Sequence, residues 1–147
     1  MSISSRELFA RLIKCEAGGE GLNGMRAVAT VVMNRVNVAY GEYLRTGEGD
    51  LRKIISQRNQ FTCMNSTVYG ELNPQTVWAS PPEDIHYDVA DWALSGNKLY
   101  GIERSLWYYN PFKPACMQIF PKTGTGQFIE KINQHCFYNP TKKYAKS

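Results

Sequence analysis

The sequence has no long apolar run. Its longest, Ala27 to Met33 (AVATVVM), falls far short of the roughly 18 residues that a transmembrane helix requires, so no membrane span is expected. The four cysteines, Cys15, Cys63, Cys116 and Cys136, include no C-x-x-C pair, which excludes the usual zinc-ribbon and thiol-redox spacings. Left at that, they read as four small buried hydrophobes, or as two disulfides if the protein reaches an oxidising place. The opening residues (MSISSRELFARLIK) carry charges and lack an apolar stretch with a small-residue cleavage site, so no secretory signal is expected. No repeat, low-complexity tract or Pro/Ser-rich linker divides the chain. One domain over 1–147 is the simplest organisation, with a core from about 5 to 141 and a basic tail at 142–147.

What is present fits a compact fold. Of 147 residues, 43% are hydrophobic, enough for a continuous core, and an aromatic share of 12% excludes disordered, collagen-like and coiled-coil chains. Seventeen Lys and Arg against thirteen Asp and Glu give +4, which suits nucleic acid or an anionic cell wall equally.

Ser4 followed by Glu7 resembles a capping box, and Leu8, Phe9, Leu12, Ile13 and Glu16 recur at helical spacing, so a first helix is expected over about Ser5 to Ala17. A second, from about Asn23 to Val38, is apolar around most of its circumference and reads as the buried central helix. Asp50 caps a short third helix with Ile54 and Ile55 inward, and Gln57 to Asn65 follows as a polar loop. Pro81 and Pro82 precede a fourth helix whose inner face is Ile85, Val89, Trp92 and Ala93, with His86 on its exposed polar side and Gly96 at its end. SLWYYNP and HCFYNP suit short strands or ordered loops, and FIEKI (Phe128 to Ile132) suits a turn or two of helix. The expected fold class is mainly α with a small β portion.

Glu16 is the most informative residue, because it continues the apolar face of Phe9, Leu12 and Ile13, where a carboxylate is ordinarily avoided. It should point inward. Burial and the negative end of the helix would both favour its protonated form, which is what a general acid at a glycosidic oxygen needs. The alternative is a buried hydrogen bond to a Tyr or to backbone.

The string KCEAGGEGLNGMRAVATVVMNRV (Lys14 to Val36) resembles the opening of the SleB/CwlJ-type cell-wall hydrolases, which are spore cortex-lytic enzymes. Gln60-Phe61 sits where that family has a loop element, and SLWYYNP and HCFYNPT resemble its two late aromatic motifs, particularly those of the CwlJ branch. The four landmarks occur in family order from Leu8 to Thr141. The resemblance implies a lysozyme-like domain similar to lytic transglycosylases, acting on peptidoglycan glycan strands at N-acetylmuramic acid. Glu16 matches the family's catalytic Glu. The substrate's acetamido group or C6 hydroxyl could then supply the nucleophile, which accounts for the lack of a second carboxylate on so apolar a background. Glu20 is the candidate second acid, or else a loop-anchoring carboxylate.

In the same reading Phe61, Trp107, Tyr108, Tyr109, Asn110 and Tyr138 would contact sugar, with Tyr109 and Asn110 the strongest candidates to face a groove. Each aromatic could instead be core. Gln60 would bind an N-acetyl group or close its loop, and His135 would order the late motif by a hydrogen bond. Cys116 and Cys136 agree with the spore branch as structural residues. Cys15 and Cys63 are less typical and leave open a bridge between the catalytic helix and the Gln60-Phe61 loop. The stretch from Tyr69 to Ile85 has no counterpart in the family pattern.

No metal site or cofactor is expected, with calcium only as an activator that the CwlJ resemblance suggests. A spore-coat protein is a candidate partner, and nucleic acid is disfavoured. The implied location is the spore coat or outer cortex after synthesis in the mother cell, or release by phage lysis for an endolysin sharing the domain. Two other functions compete: an amidase or peptidase using Cys63 or Cys136 with His135, and a non-catalytic binder of glycan or nucleic acid.

Overall fold

The computed structural model describes residues 3–57, 60–65, 67–68, 71–72 and 76–147. Arg58 and Asn59 of the expected polar loop, and Tyr69, Gly70, Asn73, Pro74 and Gln75 of the unmatched stretch, lie outside the described residues. Among the described residues, five α-helices pack beside a three-stranded antiparallel sheet: α1 (Ser5–Ala17), α2 (Gly21–Asn37), α3 (Gly41–Gly47), α4 (Leu51–Ser56) and α5 (Asp84–Leu94). A minimal hairpin of β1 (Thr67–Val68) and β2 (Glu71–Leu72) precedes α5. The larger sheet comprises β3 (Trp107–Tyr109), β4 (Gly126–Ile132) and β5 (His135–Pro140), in the order β3-β5-β4.

The caps follow the sequence. Ser4 Oγ accepts the Glu7 amide to start α1, and Asp50 Oδ1 accepts the Lys53 amide to start α4. Buried Ala27, Val28, Val31 and Val32 make α2 the central helix, in contact with the other four helices and with β3 and β4.

Polar side chains of α2 fix the sheet. Asn34 Nδ2 donates to the Ser105 carbonyl at 2.9 Å and Arg35 Nε to the Leu106 carbonyl at 2.7 Å, so the chain enters β3 at a set height above α2. Buried hydrogen bonds of this kind are costly to leave half-made, about 1–3 kcal/mol for each orphaned group, which keeps the register of β3.

Several expectations are corrected. FIEKI is strand, not helix: Gln127 pairs with Asn139 and Ile132 with His135, with a bulge between Phe128 and Glu130. Its apolar residues fit either period, and pairing with β5 decides between them. No periodicity marks the helix α3, because GEYLRTG begins and ends in Gly and buries one large side chain, Tyr43. Gly41 there has φ +78°, and a Cβ would meet the Tyr144 ring at 2.5 Å.

The basic tail is not a solvated end. Tyr144 is fully buried, accepts the Tyr43 amide on its hydroxyl and donates to the Tyr40 carbonyl. On α5, Ile85 is exposed, whereas His86 is buried and its Nδ1 accepts the Glu83 amide in a capping box. Burial, followed by the charge of Lys14, lowers the His86 pKa, so the ring is a neutral cap.

The four cysteines form two disulfides, Cys15–Cys63 and Cys116–Cys136, rather than packing as separate hydrophobes. The first ties the end of α1 to the turn Thr62–Met64, and the second ties the segment after β3 to β5. With every cysteine bridged, neither Cys63 nor Cys136 offers the thiolate that an amidase mechanism would require.

Candidate active site

A groove of about 640 Å³ opens where the end of α1, the turn at Thr62, the end of β3 and the β4–β5 turn converge. Glu16 reaches it from the last turn of α1, and Tyr108 from β3. Trp107 is in the core, and alternation along the strand turns Tyr108 the other way, toward α1. Its hydroxyl donates to Glu16 Oε1 at 2.8 Å. Cys63 Sγ lies 3.2 Å from Glu16 Oε2, and a disulfide sulfur has no proton to give, so this contact offers the carboxylate little stabilisation.

Burial is therefore the largest influence on Glu16 and raises its pKa, opposed by the Tyr108 hydrogen bond and then by the charge of Arg35. Glu16 is accessible from the groove yet surrounded by protein, the setting in which a carboxyl keeps its proton to higher pH than it would in water. The Tyr108 phenol is pushed well up by burial and by Glu16, so it stays a donor throughout the working range.

Glu20 occupies the same groove with a different task. Its Oε1 accepts the Gln134 amide at 3.2 Å and lies 3.0 Å from His135 Nδ1, while Asn133 Nδ2 donates to the Glu20 carbonyl. Burial lowers the His135 pKa more than Glu20 raises it, so at neutral pH an uncharged imidazole N–H donates to the carboxylate. His135 also meets the Tyr108 ring edge-on at 5.2 Å. Glu20 thus anchors the β4–β5 turn, which in turn backs Tyr108.

The aromatics expected to stack on sugar separate into two groups. Phe61, Trp107 and Tyr138 are 2%, 4% and 0% exposed and have no face left for a ligand. Tyr138 spends its hydroxyl on the Met117 carbonyl, and Phe61 lies under Arg35 at 5.2 Å. Tyr108, Tyr109 and Asn110 do line the groove. Tyr109 stacks on Phe120 at 4.5 Å, which leaves its edge more than its face available.

Gln60 is loop-closing: its Oε1 accepts from Tyr43 at 3.0 Å and from Arg35 Nη1 at 3.4 Å. It lines a neighbouring cavity of about 340 Å³, which shares Tyr108 with the groove. Arg35 was missed by the sequence reading although it carries the signal that singled out Glu16, a charge three and four residues along from the buried Val32 and Val31.

The residues and their order match a known family. A family model described as Cell Wall Hydrolase matches residues 19–138. The chain belongs to the cell wall hydrolase family. This hydrolase is 28% identical over 137 residues to Cell wall hydrolase CwlJ of Bacillus subtilis (strain 168), covering 92% of this chain and 84% of the relative. It is 26% identical over 135 residues to CwlJ of Halalkalibacterium halodurans, covering 92% and 85%.

The catalytic domain of the germination-specific lytic transglycosylase SleB from Bacillus anthracis superposes with a TM-score of 0.65 at 23% identity, over 95% of this chain and 97% of that one. The Bacillus cereus SleB catalytic domain gives 0.66 at 24%, over 92% and 89%. These likenesses show the fold, that of the SleB catalytic domain, and family membership makes the hydrolase a peptidoglycan-degrading enzyme. Glu16 lies three residues before the matched span, so its place in the groove is what singles it out.

Tyr108→Phe provides a test of the pair. Without the phenol the Glu16 carboxylate loses a charge-assisted hydrogen bond of about 1.5–3 kcal/mol, so its pKa rises further. The alkaline limb of the pH–rate profile should move to higher pH while the maximal rate falls about 10-fold or more. An unmoved limb would show that Tyr108 does not act on Glu16.

Proposed function

We propose that this hydrolase cleaves the glycan strand of peptidoglycan at the N-acetylmuramic acid glycosidic bond, with Glu16 as both acid and base, and that it acts as a lytic transglycosylase. The observation that carries this reading is a buried carboxyl with a raised pKa at the floor of an open groove, held by one tyrosine donor. Glu16 gives its proton to the glycosidic oxygen as the C1–O bond breaks, and the leaving sugar departs as an alcohol. The C6 hydroxyl of the retained sugar closes on C1, and its proton returns to the Glu16 carboxylate. No water is consumed, and the product is a 1,6-anhydro sugar.

Ordinary glycosidases divide these steps between two carboxylates. Among the described residues Glu20 is the other acid lining the groove, and its Oε1 is committed to Gln134 and His135, which favours the one-carboxylate route. Tyr108 and Arg35 stabilise the carboxylate when the proton has left. In this reading every step runs through Glu16 and the substrate and calls on no metal or cofactor.

The reading extends to spore germination, supported by one solved neighbour that is described as germination-specific and by the likeness to CwlJ cell wall hydrolases. We place this enzyme at the spore coat and outer cortex, where a coat protein would hold it against its substrate. Two disulfides accord with an oxidising site outside the cytosol.

Mass spectrometry of the products from purified cortex tests the reaction. Muropeptides ending in 1,6-anhydro-muramic acid are expected. Reducing ends alone would replace transglycosylation by hydrolysis, and cut peptides or released stems with intact glycan would overturn the glycosidic reading.

A further inference from the structure

Phe112 was not singled out by the sequence, and it is the most exposed aromatic on the groove. It is 89% accessible, has φ +55°, and lines both the groove and a second cavity of about 380 Å³ next to it. A bulky residue in the left-handed region costs of order 1–3 kcal/mol, and such conformations persist where the surroundings impose them.

Here three ties impose it. Asn110 Oδ1 accepts the Phe112 amide at 2.7 Å, and Asn110 Nδ2 reaches Gln134 Oε1 at 3.3 Å on the β4–β5 turn. Lys131 Nζ donates to the Pro114 carbonyl at 3.1 Å. The Cys116–Cys136 disulfide fastens the same segment to β5. A short loop is thus anchored to the sheet at three points, and its one large apolar side chain is held out in solvent. Nothing in folding rewards that arrangement, whereas a ligand-binding platform requires it, because a pre-positioned ring loses little freedom when a ligand arrives.

The cavity beyond Phe112 is lined by Asn110, Phe112, Lys113, Pro114, Lys131 and Gln134, two cations with no acid. The groove on the near side carries Glu16 and Glu20 and one cation, Lys14, whose Nζ is engaged by Ser80 Oγ and the Pro81 carbonyl. A ligand spanning Phe112 therefore meets carboxyl chemistry on one side and positive charge on the other. A muramoyl sugar has the matching form, with an apolar ring face and an anionic substituent.

Building on the glycan-cleaving reading above, we propose that Phe112 is the sugar-stacking platform of the groove and that the Lys113/Lys131 cavity receives the peptide-stem carboxylates of the stacked muramic residue. Phe112 binds substrate without touching the reacting atoms.

The test compares kcat and KM on soluble glycan strands with stems intact and with stems removed by an amidase, the lactyl carboxylates that the amidase frees being capped as methyl amides. Phe112→Ala should raise KM about 3- to 10-fold on both strands with kcat little changed, and Phe112→Trp should restore it. Lys113→Gln should raise KM on stem-bearing strands only, and about 0.5 M salt should erase that difference. Tyr100→Ala, which removes an aromatic 92% exposed and outside both cavities, should change nothing.

An unchanged KM for Phe112→Ala would overturn the platform, and an equal effect of Lys113→Gln on both strands would overturn the stem site. Retention of Glu16→Gln protein on insoluble wall separates this inference from the cleavage reading. If the wild-type enzyme cuts no strand yet adding Phe112→Ala weakens retention of the Glu16→Gln protein, the platform stands and cleavage falls; if retention is unaffected, the platform falls as well.

Discussion

Replacing Glu16 by Gln is expected to slow glycan cleavage by about 10²- to 10⁴-fold, the range that one positioned general acid contributes, without impairing folding. Gln fills the same volume, and its carbonyl can still accept the Tyr108 hydroxyl, but it has no proton to give. The variant should also show what the raised pKa costs the fold. Because burial lifts the Glu16 pKa above its unfolded value, the folded protein binds more protons between the two values. Stability attached to Glu16 is therefore complete below the unfolded value, about 4.3, and is lost as pH rises through the folded value.

Gln has no such dependence. The Tm of Glu16→Gln relative to wild type should consequently climb as pH rises from the unfolded value of about 4.3 through the raised folded value. A constant offset in Tm would mean that Glu16 titrates alike in both states, and full activity in the variant would remove it from the mechanism.

The second large effect concerns the Cys15–Cys63 disulfide. It closes a separation of 48 residues, for which the chain-entropy relation gives about 4 kcal/mol, against about 3 kcal/mol for the separation of 20 at Cys116–Cys136. Losing either bridge should lower Tm on the order of 10 °C. Activity should divide them further. Cys15 precedes Glu16 in α1, and Cys63 Sγ touches its carboxyl, so opening that bridge frees the turn at Thr62 that walls the groove. Opening it by reduction, in contrast to alanine substitution, would also give Cys63 a proton to donate to Glu16, which would favour the carboxylate and weaken the acid.

The double variant Cys15→Ala/Cys63→Ala, assayed below its own Tm, should lose most activity, whereas Cys116→Ala/Cys136→Ala should mainly weaken binding by loosening the Phe112 loop. Alkylating reagents applied without reductant should do nothing. Inactivation by them would revive a thiol mechanism.

The sequence made the Glu16 end of the molecule legible because the signals there are local. The Ser4 cap, the spacing of Leu8 to Ile13 and the arrival of Glu16 on the same face define α1 and its inward carboxyl without reference to the rest of the chain. The aromatic segments carry no such signal. Trp107, Tyr108 and Tyr109 differ in role only because β3 pairs with β5, and because Asn34 and Arg35 hold the strand's entry so that Tyr108 faces α1.

Long-range pairing also decided Phe128 to Ile132, whose spacing suits a helix equally well, and burial of His86 depended on a capping contact that its position on α5 did not disclose. Phe112 lay between two prolines with no periodicity at all. Its exposure is set by ties to Gln134, Lys131 and Cys136, residues distant in sequence.

The most direct test is to titrate the Glu16 carboxyl by ¹³C NMR and overlay its midpoint on the pH dependence of glycan cleavage. Glu16 should titrate above the ordinary carboxylate value of about 4.3, and cleavage should fall away across that same midpoint as pH rises. A Glu16 that is fully ionised at the pH where cleavage is fastest would contradict its role as the acid.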